Sequence, residues 1–422
     1  MACQKFSPQP VITGCVLAAL LILLPAGRAT ADSVPTYTNP LGISIGDPDV
    51  LHVAGDYYIY GTGGGRGETA YPTYTSTNLV DWVSVGETYR RNTNDSWCIG
   101  AFWAPEVYQV KDKFYMFYSA QWRDNPTKEL ENFRIGVAVA DQPAGPFKDI
   151  QNRPIFDPGY PIIDADVLFD SDGRVYLYYS RCCYKHPVES ELAAWAKAKG
   201  WYDHIEESWV YGVELKPDFS GVIGEPVVIL RPPETLSDPQ SAWEDLAVTT
   251  HTVGRRWTEG PSSFKHGNTY YLMYAANSVA AGGDYATGYA TAEHPLGPFK
   301  KAANNPLIYR NTAHGGNVTT TAHTCWTMSP DGTEMFVLYG GVIQRNAAAA
   351  TPPATALAGT NPSSSGTNAP GTRRGRPGFG GGMGRRVLFL DRMEILPDGT
   401  LVAHSPTVTP QPYPSAGKSS GQ

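Results

Sequence analysis

Gly173-Arg-Val-Tyr-Leu-Tyr-Tyr179 is one of five related phrases, in which tyrosines and aliphatic residues follow a Gly or Asp and close on a tyrosine. The other copies are Gly55-Asp-Tyr-Tyr-Ile-Tyr60, Asp112-Lys-Phe-Tyr-Met-Phe-Tyr118, Gly267-Asn-Thr-Tyr-Tyr-Leu-Met-Tyr274 and Gly332-Thr-Glu-Met-Phe-Val-Leu-Tyr339. Most copies also follow a short apolar run, which is typical of a strand. Each copy is therefore predicted to be a tight hairpin between two strands.

The spacing of the copies predicts the fold. They recur about every 60 residues, with one wider gap after the third copy, and this period suits one four-stranded sheet per copy. Radial repetition of small antiparallel sheets protects their edges, as in a propeller. The sequence therefore predicts an all-β, five-bladed β-propeller over residues 32–407.

Three segments interrupt or flank this pattern. The alanine-rich stretch 189–200 in the wide gap predicts a short helical insertion. Residues 346–385 are rich in Ala, Pro, Ser, Thr and Gly, which predicts one long, low-complexity disordered loop. A strand is predicted to resume at 386–396, and the Pro/Ser-rich tail 408–422 is predicted to be disordered.

Composition and the N-terminus limit the class of protein. The chain has 422 residues, 41% of them hydrophobic, and a net charge of −7, so no basic field for nucleic acid or anionic membrane is expected. An apolar stretch from Val11 to Ala26, followed by Ala29-Thr-Ala31, predicts a signal peptide over residues 1–31. The mature protein is therefore expected to be secreted or periplasmic and free of the membrane. Its cysteines are predicted to be ordinary buried thiols, with a strained vicinal bond between the adjacent Cys182 and Cys183 as the alternative. These cysteines are Cys98, Cys182, Cys183 and Cys325.

Acidic residues recur where the first strand of a predicted blade begins. Asp47, Glu106, Asp164 and Glu259 mark four such entrances, and His323 marks the fifth. The first strand of a propeller blade lines the central channel, so these side chains are expected to converge on the axis.

Converging carboxylates in an aromatic-lined channel suit glycosidic bond cleavage. A neutral carboxylic acid protonates the leaving oxygen while an ionised carboxylate activates water or attacks the sugar. A third carboxylate keeps the acid protonated through like-charge repulsion. Each motif alone is ordinary turn chemistry, and it is their combination in a repeat that indicates a site.

These motifs resemble glycoside hydrolase family 43, inverting enzymes on a five-bladed propeller. The resemblance implies that Asp47 is the general base and that Glu259 of Glu-Gly-Pro is the general acid. It implies that Asp164 adjusts the pKa of the acid and orients it. It also implies sugar binding by Trp103 and His323. His323 is in addition a candidate calcium ligand, and no cofactor is required.

Several alternatives stay open. Asp49 and Asp166 are rivals for the catalytic roles, because they lie two residues beyond Asp47 and Asp164 and are predicted to lie on the same strand face. His314 competes with His323. The expected activity is α-L-arabinofuranosidase on arabinan, arabinoxylan or their oligosaccharides. The alternatives are a β-xylosidase, an endo-arabinanase, a carbohydrate-binding propeller without catalysis, or a glycoside phosphorylase, for which no basic cluster is evident.

Overall fold

The computed structural model of the chain describes residues 34–63, 70–90, 96–125, 132–249, 254–279, 283–344 and 386–416. The predicted signal peptide and the low-complexity loop 346–385 lie outside these residues. No helix in the described part of the chain is both long enough and apolar enough to cross a membrane.

Five antiparallel sheets follow one another along the described chain, and we call them blades 1 to 5. Blade 1 contains Ile45–Val53, Asp56–Gly63, Ala70–Ser76 and Val83–Arg90. Blade 2 contains Cys98–Val110, Lys113–Trp122, Phe133–Ala140 and Lys148–Asp149. Blade 3 contains Ile162–Phe169, Val175–Arg181, Trp209–Leu215 and Val222–Leu230.

Blades 4 and 5 complete the series. Blade 4 contains Thr258–His266, Thr269–Ala276, Ala286–Ala292 and Lys300–Lys301. Blade 5 contains Val318–Thr319, Cys325–Met328, Met335–Ile343, Val387–Ile395 and Leu401–Ala403. All five predicted hairpins are confirmed, because each inner strand pairs antiparallel with the strand that follows it.

The alternation of the repeated phrase explains how the blades pack. In the second strand of blade 2, Phe117 packs in the core cluster shared with blade 3, whereas its neighbour Tyr118 packs in the cluster shared with blade 1. Successive side chains of a strand point to opposite faces, so a strand buried on both faces is apolar or aromatic throughout. The same alternation in the other blades gives five interblade clusters, and the cluster between blades 5 and 1 closes the ring.

The wide gap after the third hairpin holds the predicted helix and a small sheet that the sequence did not reveal. The helix spans Glu191–Ala198, and the Ser190 hydroxyl caps it by accepting a hydrogen bond from the Ala193 amide at 3.1 Å. The small sheet contains Pro187–Val188, Ile205–Glu207 and Arg255–Arg256. Shorter helical segments are Ser241–Glu244, Leu246–Thr249 and the 3₁₀ turn Thr312–His314.

The first and last strands of the described chain pair with each other, which corrects one prediction. Thr36–Tyr37 pairs antiparallel with Gln411–Pro412, and the Ser415 amide donates to Glu334 of blade 5 at 2.8 Å. The prediction of a disordered tail from residue 408 is therefore wrong as far as residue 416. Its order comes from partners more than 80 positions away, which local composition does not reveal.

The described cysteines are Cys98, Cys182, Cys183 and Cys325. All four are buried and unpaired with one another, so the prediction of ordinary buried thiols is confirmed.

Candidate active site

The inner strand of every blade has a left-handed residue at its entrance. These residues and their φ angles are Asp47 at 46°, Ala104 at 42°, Asp164 at 58°, Gly260 at 55° and His323 at 56°. In blades 1 to 4 this residue lies within a shift of the register between the first two strands. Such a backbone is uncommon for residues other than glycine, and its recurrence in five blades marks a shared structural device.

This repeat corrects the assignment of equivalent positions. Asp47, Asp164 and His323 occupy the left-handed position itself, whereas Glu259 lies one residue before it. Blade 2 has Ala104 there, and Glu106 lies two residues further on. The prediction that four entrances present equivalent carboxylates is therefore wrong for Glu259 and Glu106.

Asp47 is held as a carboxylate by two basic side chains. Arg386 donates to both of its oxygens, with Nη1–Oδ1 at 2.5 Å and Nη2–Oδ2 at 2.9 Å, and His323 Nδ1 lies 3.2 Å from Oδ1. Burial acts to raise the pKa of Asp47, but the charges of Arg386 and His323 and hydrogen bonds from Arg386 and Thr62 outweigh it. The pKa of Asp47 therefore lies well below its ordinary value, so Asp47 is ionised, which is the protonation state of a general base.

Arg386 approaches Asp47 through the space left by a glycine. A Cβ atom at Gly46 would lie 2.1 Å from Arg386 Nη2, so a larger residue would displace the guanidinium. Sequence reasoning missed Arg386, which directly follows residues 345–385 and lies 339 positions from Asp47 in the chain. No local motif marks it; its only signal is its place at the start of the resumed strand.

Glu259 has the opposite electrostatic environment. Burial is the largest cause that raises its pKa well above the ordinary value, and the negative charge of Asp164 adds to this. A hydrogen bond from Tyr285 partly lowers the pKa, and the charge of Asp47 raises it by less than that of Asp164. Glu259 therefore retains a proton at pH values where Asp47 is ionised, which is the protonation state of a general acid.

Asp164 connects the inner strands of neighbouring blades. Its Oδ2 accepts from the Ser180 hydroxyl at 3.2 Å and from the Gly260 amide at 3.3 Å, and its own amide donates to Ser119 Oγ at 2.9 Å. Burial raises its pKa, with the charge of His323 acting in the opposite direction. Because Gly260 directly follows Glu259, this hydrogen bond ties the position of the Glu259 backbone to Asp164.

The rival carboxylates have structural surroundings. Asp49 Oδ2 accepts from the Val107 amide at 2.8 Å and so links the inner strands of blades 1 and 2. Asp166 is buried, and its charge adds to burial, the main cause that raises the pKa of both Tyr108 and Tyr178, which pack between blades. The register shifts lie between each rival and its candidate, so the expectation that they share one strand face is wrong.

The two candidate sugar-binding residues have different environments. Trp103 is partly buried and stacks on Phe133, with ring centroids 4.2 Å apart and planes 28° apart. His323 is buried against Asp47, and a Cβ atom at Gly260 would lie 3.0 Å from its ring. His314 is exposed in the 3₁₀ turn, so the structure brings His323 rather than His314 to Asp47.

The surroundings of His323 do not fit a calcium ion held directly by protein oxygens. Within the described residues, no group of three or more His, Cys, Asp or Glu side chains is arranged to hold a metal. Both oxygens of the nearest carboxylate, Asp47, already bind Arg386. Since calcium prefers six to eight oxygen ligands, we assign no step to a metal.

A β-propeller whose entrances bring together one ionised and one protonated carboxyl defines a protein of the glycosidase class. The family model of glycosyl hydrolases family 43 matches residues 37–358. The chain belongs to this family and is a glycosidase that hydrolyses O-glycosyl bonds.

Individual relatives agree with this assignment. A crystal structure of a thermostable family-43 glycoside hydrolase is 33% identical, covers 90% of this chain and 100% of its own, and superposes with a TM-score of 0.69. The β-D-galactofuranosidase xynD of Aspergillus niger is 25% identical over 69% of this chain and 72% of its own length. An extracellular exo-α-(1→5)-L-arabinofuranosidase of Streptomyces avermitilis is 25% identical over 77% of this chain, which spans 61% of that enzyme.

Proposed function

We propose that the protein is a secreted, inverting glycosidase that releases α-L-arabinofuranosyl units from plant-type polysaccharide. The observation that carries this proposal is the opposite protonation of Asp47 and Glu259, set by Arg386 on one side and by burial beside Asp164 on the other. Relatives that act on arabinofuranosyl and galactofuranosyl groups support a furanoside substrate.

In the proposed reaction, Glu259 donates its proton to the leaving oxygen as the glycosidic bond breaks. Asp47 accepts a proton from a water molecule that attacks the opposite face of the sugar ring, and the configuration at the anomeric carbon inverts. Asp164 keeps Glu259 protonated and fixes its backbone through the Gly260 amide. Inversion requires room for that water, which corresponds to roughly 6.5–9.5 Å between the two carboxyl groups.

Calcium held near His323 through its water shell, without direct protein oxygen ligands, and sugar stacking on Trp103 are subsidiary proposals. Trp103 is partly buried and packs against the cluster that contains Ile163, the residue before Asp164, and this proximity supports a contact with substrate. Metal dependence is tested by measuring activity after treatment with a chelator and after adding calcium back.

The first test separates the two catalytic roles by their dependence on the leaving group. Loss of the general acid at Glu259→Ala should reduce kcat about 100- to 10,000-fold for an alkyl or sugar leaving group, but far less for dinitrophenolate, which needs no proton. Loss of the base in Asp47→Ala should reduce kcat for both substrates alike. A Glu259→Ala variant that slows both equally contradicts the assignment of the acid.

The substrate is tested with aryl glycosides of α-L-arabinofuranose, β-D-xylose and β-D-galactofuranose. Preference for the xyloside would identify a β-xylosidase. Cleavage of arabinan without cleavage of any aryl glycoside would identify an endo-arabinanase.

Proton NMR of the first sugar released should show the inverted anomer, and the retained anomer would refute the mechanism. Binding of arabinan with no cleavage at all would indicate a carbohydrate-binding propeller.

A further inference from the structure

The insertion in blade 3 begins beside the carboxylate site. The second strand of this blade ends at Arg181, one residue after Ser180, whose hydroxyl donates to Asp164 at 3.2 Å. The chain returns at Trp209, which pairs with Arg181 in the sheet. The Cys182 thiol at the start of the insertion is buried and interacts with the charges of both Asp164 and Glu259. The first residues of the insertion therefore border the catalytic carboxyls.

Within this border, a tyrosine and an arginine form one unit. The Arg255 guanidinium lies over the Tyr184 ring, 4.8 Å from its centroid. Glu206 holds Arg255 directly, because its Oε2 accepts from Arg255 Nε at 2.7 Å. It also holds the backbone next to Tyr184, because its Oε1 accepts from the Lys185 amide at 3.1 Å. We call Tyr184 and Arg255 the insertion platform.

The insertion platform keeps accessible surface next to the site. Tyr184 is only partly buried and packs in the cluster that also contains Trp103 and Ile163. The Arg255 side chain is 42% exposed although it makes an ion pair with Glu206. A ring face and a planar guanidinium with several donors are suited to stack on a sugar and to bind its hydroxyl groups.

The platform lies on the side of the general acid. Arg255 precedes Glu259 by four residues, and the Cys183 thiol interacts with the charges of both. Asp47 is held from blade 5 instead, by Arg386 and His323. The general acid protonates the leaving group while the base faces the attacking water, so the platform lies toward the leaving group.

We propose that the insertion platform binds the sugar residue on the leaving-group side of the scissile bond. The platform thereby makes the enzyme prefer an oligosaccharide or polysaccharide to a glycoside with a small leaving group. This inference rests on the proposed function and adds a determinant of substrate choice supplied by Tyr184 and Arg255.

The test compares substrates with long and short leaving groups on the mature, full-length enzyme. The substrates are α-1,5-linked arabinotriose and α-L-arabinofuranosyl azide, or xylotriose and β-D-xylosyl azide if the wild type prefers xylose. Tyr184→Ala should lower kcat/KM for the trisaccharide about tenfold or more, mainly through KM, and leave the azide within about twofold. Tyr184→Phe keeps the ring and should retain the wild-type kcat/KM for the trisaccharide. Arg255→Met should lower kcat/KM for the trisaccharide selectively, as Tyr184→Ala does.

Tyr202→Ala is the matched control. Tyr202 belongs to the same insertion but packs on the helix cluster that contains Leu192 and Val248. Tyr202→Ala should change kcat/KM for the two substrates by the same factor or not at all. The platform is refuted if Tyr184→Ala affects both substrates equally or neither, or if Tyr202→Ala reproduces its selectivity. A wild type that cleaves the azide but not the trisaccharide also refutes it, and a wild type that cleaves neither refutes the proposed function and the platform together.

Discussion

Replacing Arg386 by methionine should move the acidic limb of the pH–activity profile upward. Asp47 acts as a base only when ionised, so activity is lost as the pH falls through its pKa. In the wild type, Arg386 and His323 hold that pKa well below the ordinary value despite burial. Without Arg386, burial is opposed only by His323 and Thr62, so the pKa rises and the limb moves to higher pH.

The size of the shift follows from the contacts that are lost. Arg386 makes two charge-assisted hydrogen bonds to Asp47. Each contributes about 1.5–3 kcal/mol, and one pKa unit corresponds to about 1.36 kcal/mol. Full loss gives roughly 2–4 units, and the charge of His323 and the hydrogen bond from Thr62 still lower the pKa of Asp47 in the variant. We therefore expect the limb to rise by about two pH units.

The assay is kcat against pH with an activated aryl glycoside, after circular dichroism has confirmed folding at each pH. Gly46→Ala should produce a shift in the same direction, because its Cβ atom would displace the guanidinium. Arg392→Met is the control: Arg392 lies on the strand Val387–Ile395, which directly follows Arg386, but it pairs with Glu334 at 2.9 Å, and its loss should leave the limb in place. An unmoved limb in Arg386→Met would refute the electrostatic argument.

Three further variants test separate parts of the structure. Tyr285→Phe removes a hydrogen bond that favours ionised Glu259, so the pKa of Glu259 should rise and the basic limb of the profile should move to higher pH; a downward shift would contradict this. Asp49→Ala leaves the Val107 amide without its 2.8 Å acceptor and should lower the free energy of unfolding in urea by about 1–3 kcal/mol, with kcat per folded molecule nearly unchanged. A large loss of kcat would instead favour Asp49 as the base. Ser190→Ala removes the helix cap and should cost about 1 kcal/mol in the same assay, whereas Ser190→Asp should retain stability.

The sequence predicted the hairpins well because their signals are local. A turn residue followed by a tyrosine-rich run is sufficient to indicate two paired strands, and the period indicated the repeat. The signal for the helix at Glu191–Ala198 was equally local, because it rested on the alanine-rich composition of residues 189–200. The small sheet beside it was missed, because Ile205–Glu207 pairs with Arg255–Arg256 across a long stretch of chain.

The candidate site was predicted in part. Motif position indicated Asp47, Asp164, Glu259 and His323, and the structure brings them into electrostatic contact with one another. Arg386 and Tyr285 were not predicted, because neither belongs to a blade-entrance motif. Arg386 reaches Asp47 only where blade 5 meets blade 1 at the closure of the ring. Tyr285 directly precedes the third strand of blade 4, whose first strand carries Glu259.

By itself, the sequence determined the repeating hairpins and the residue types available at each blade entrance, because alternation and turn chemistry act over a few neighbouring residues. Only the tertiary structure decided which carboxylate of each Asp-x-Asp pair faces the site. Asp47 is itself the left-handed residue and lies within a register shift that ends at Asp49, and strict alternation reveals neither feature. The tertiary structure also decided which carboxyl holds a proton, since protonation depends on burial and on charges from distant blades, such as that of Arg386 on Asp47.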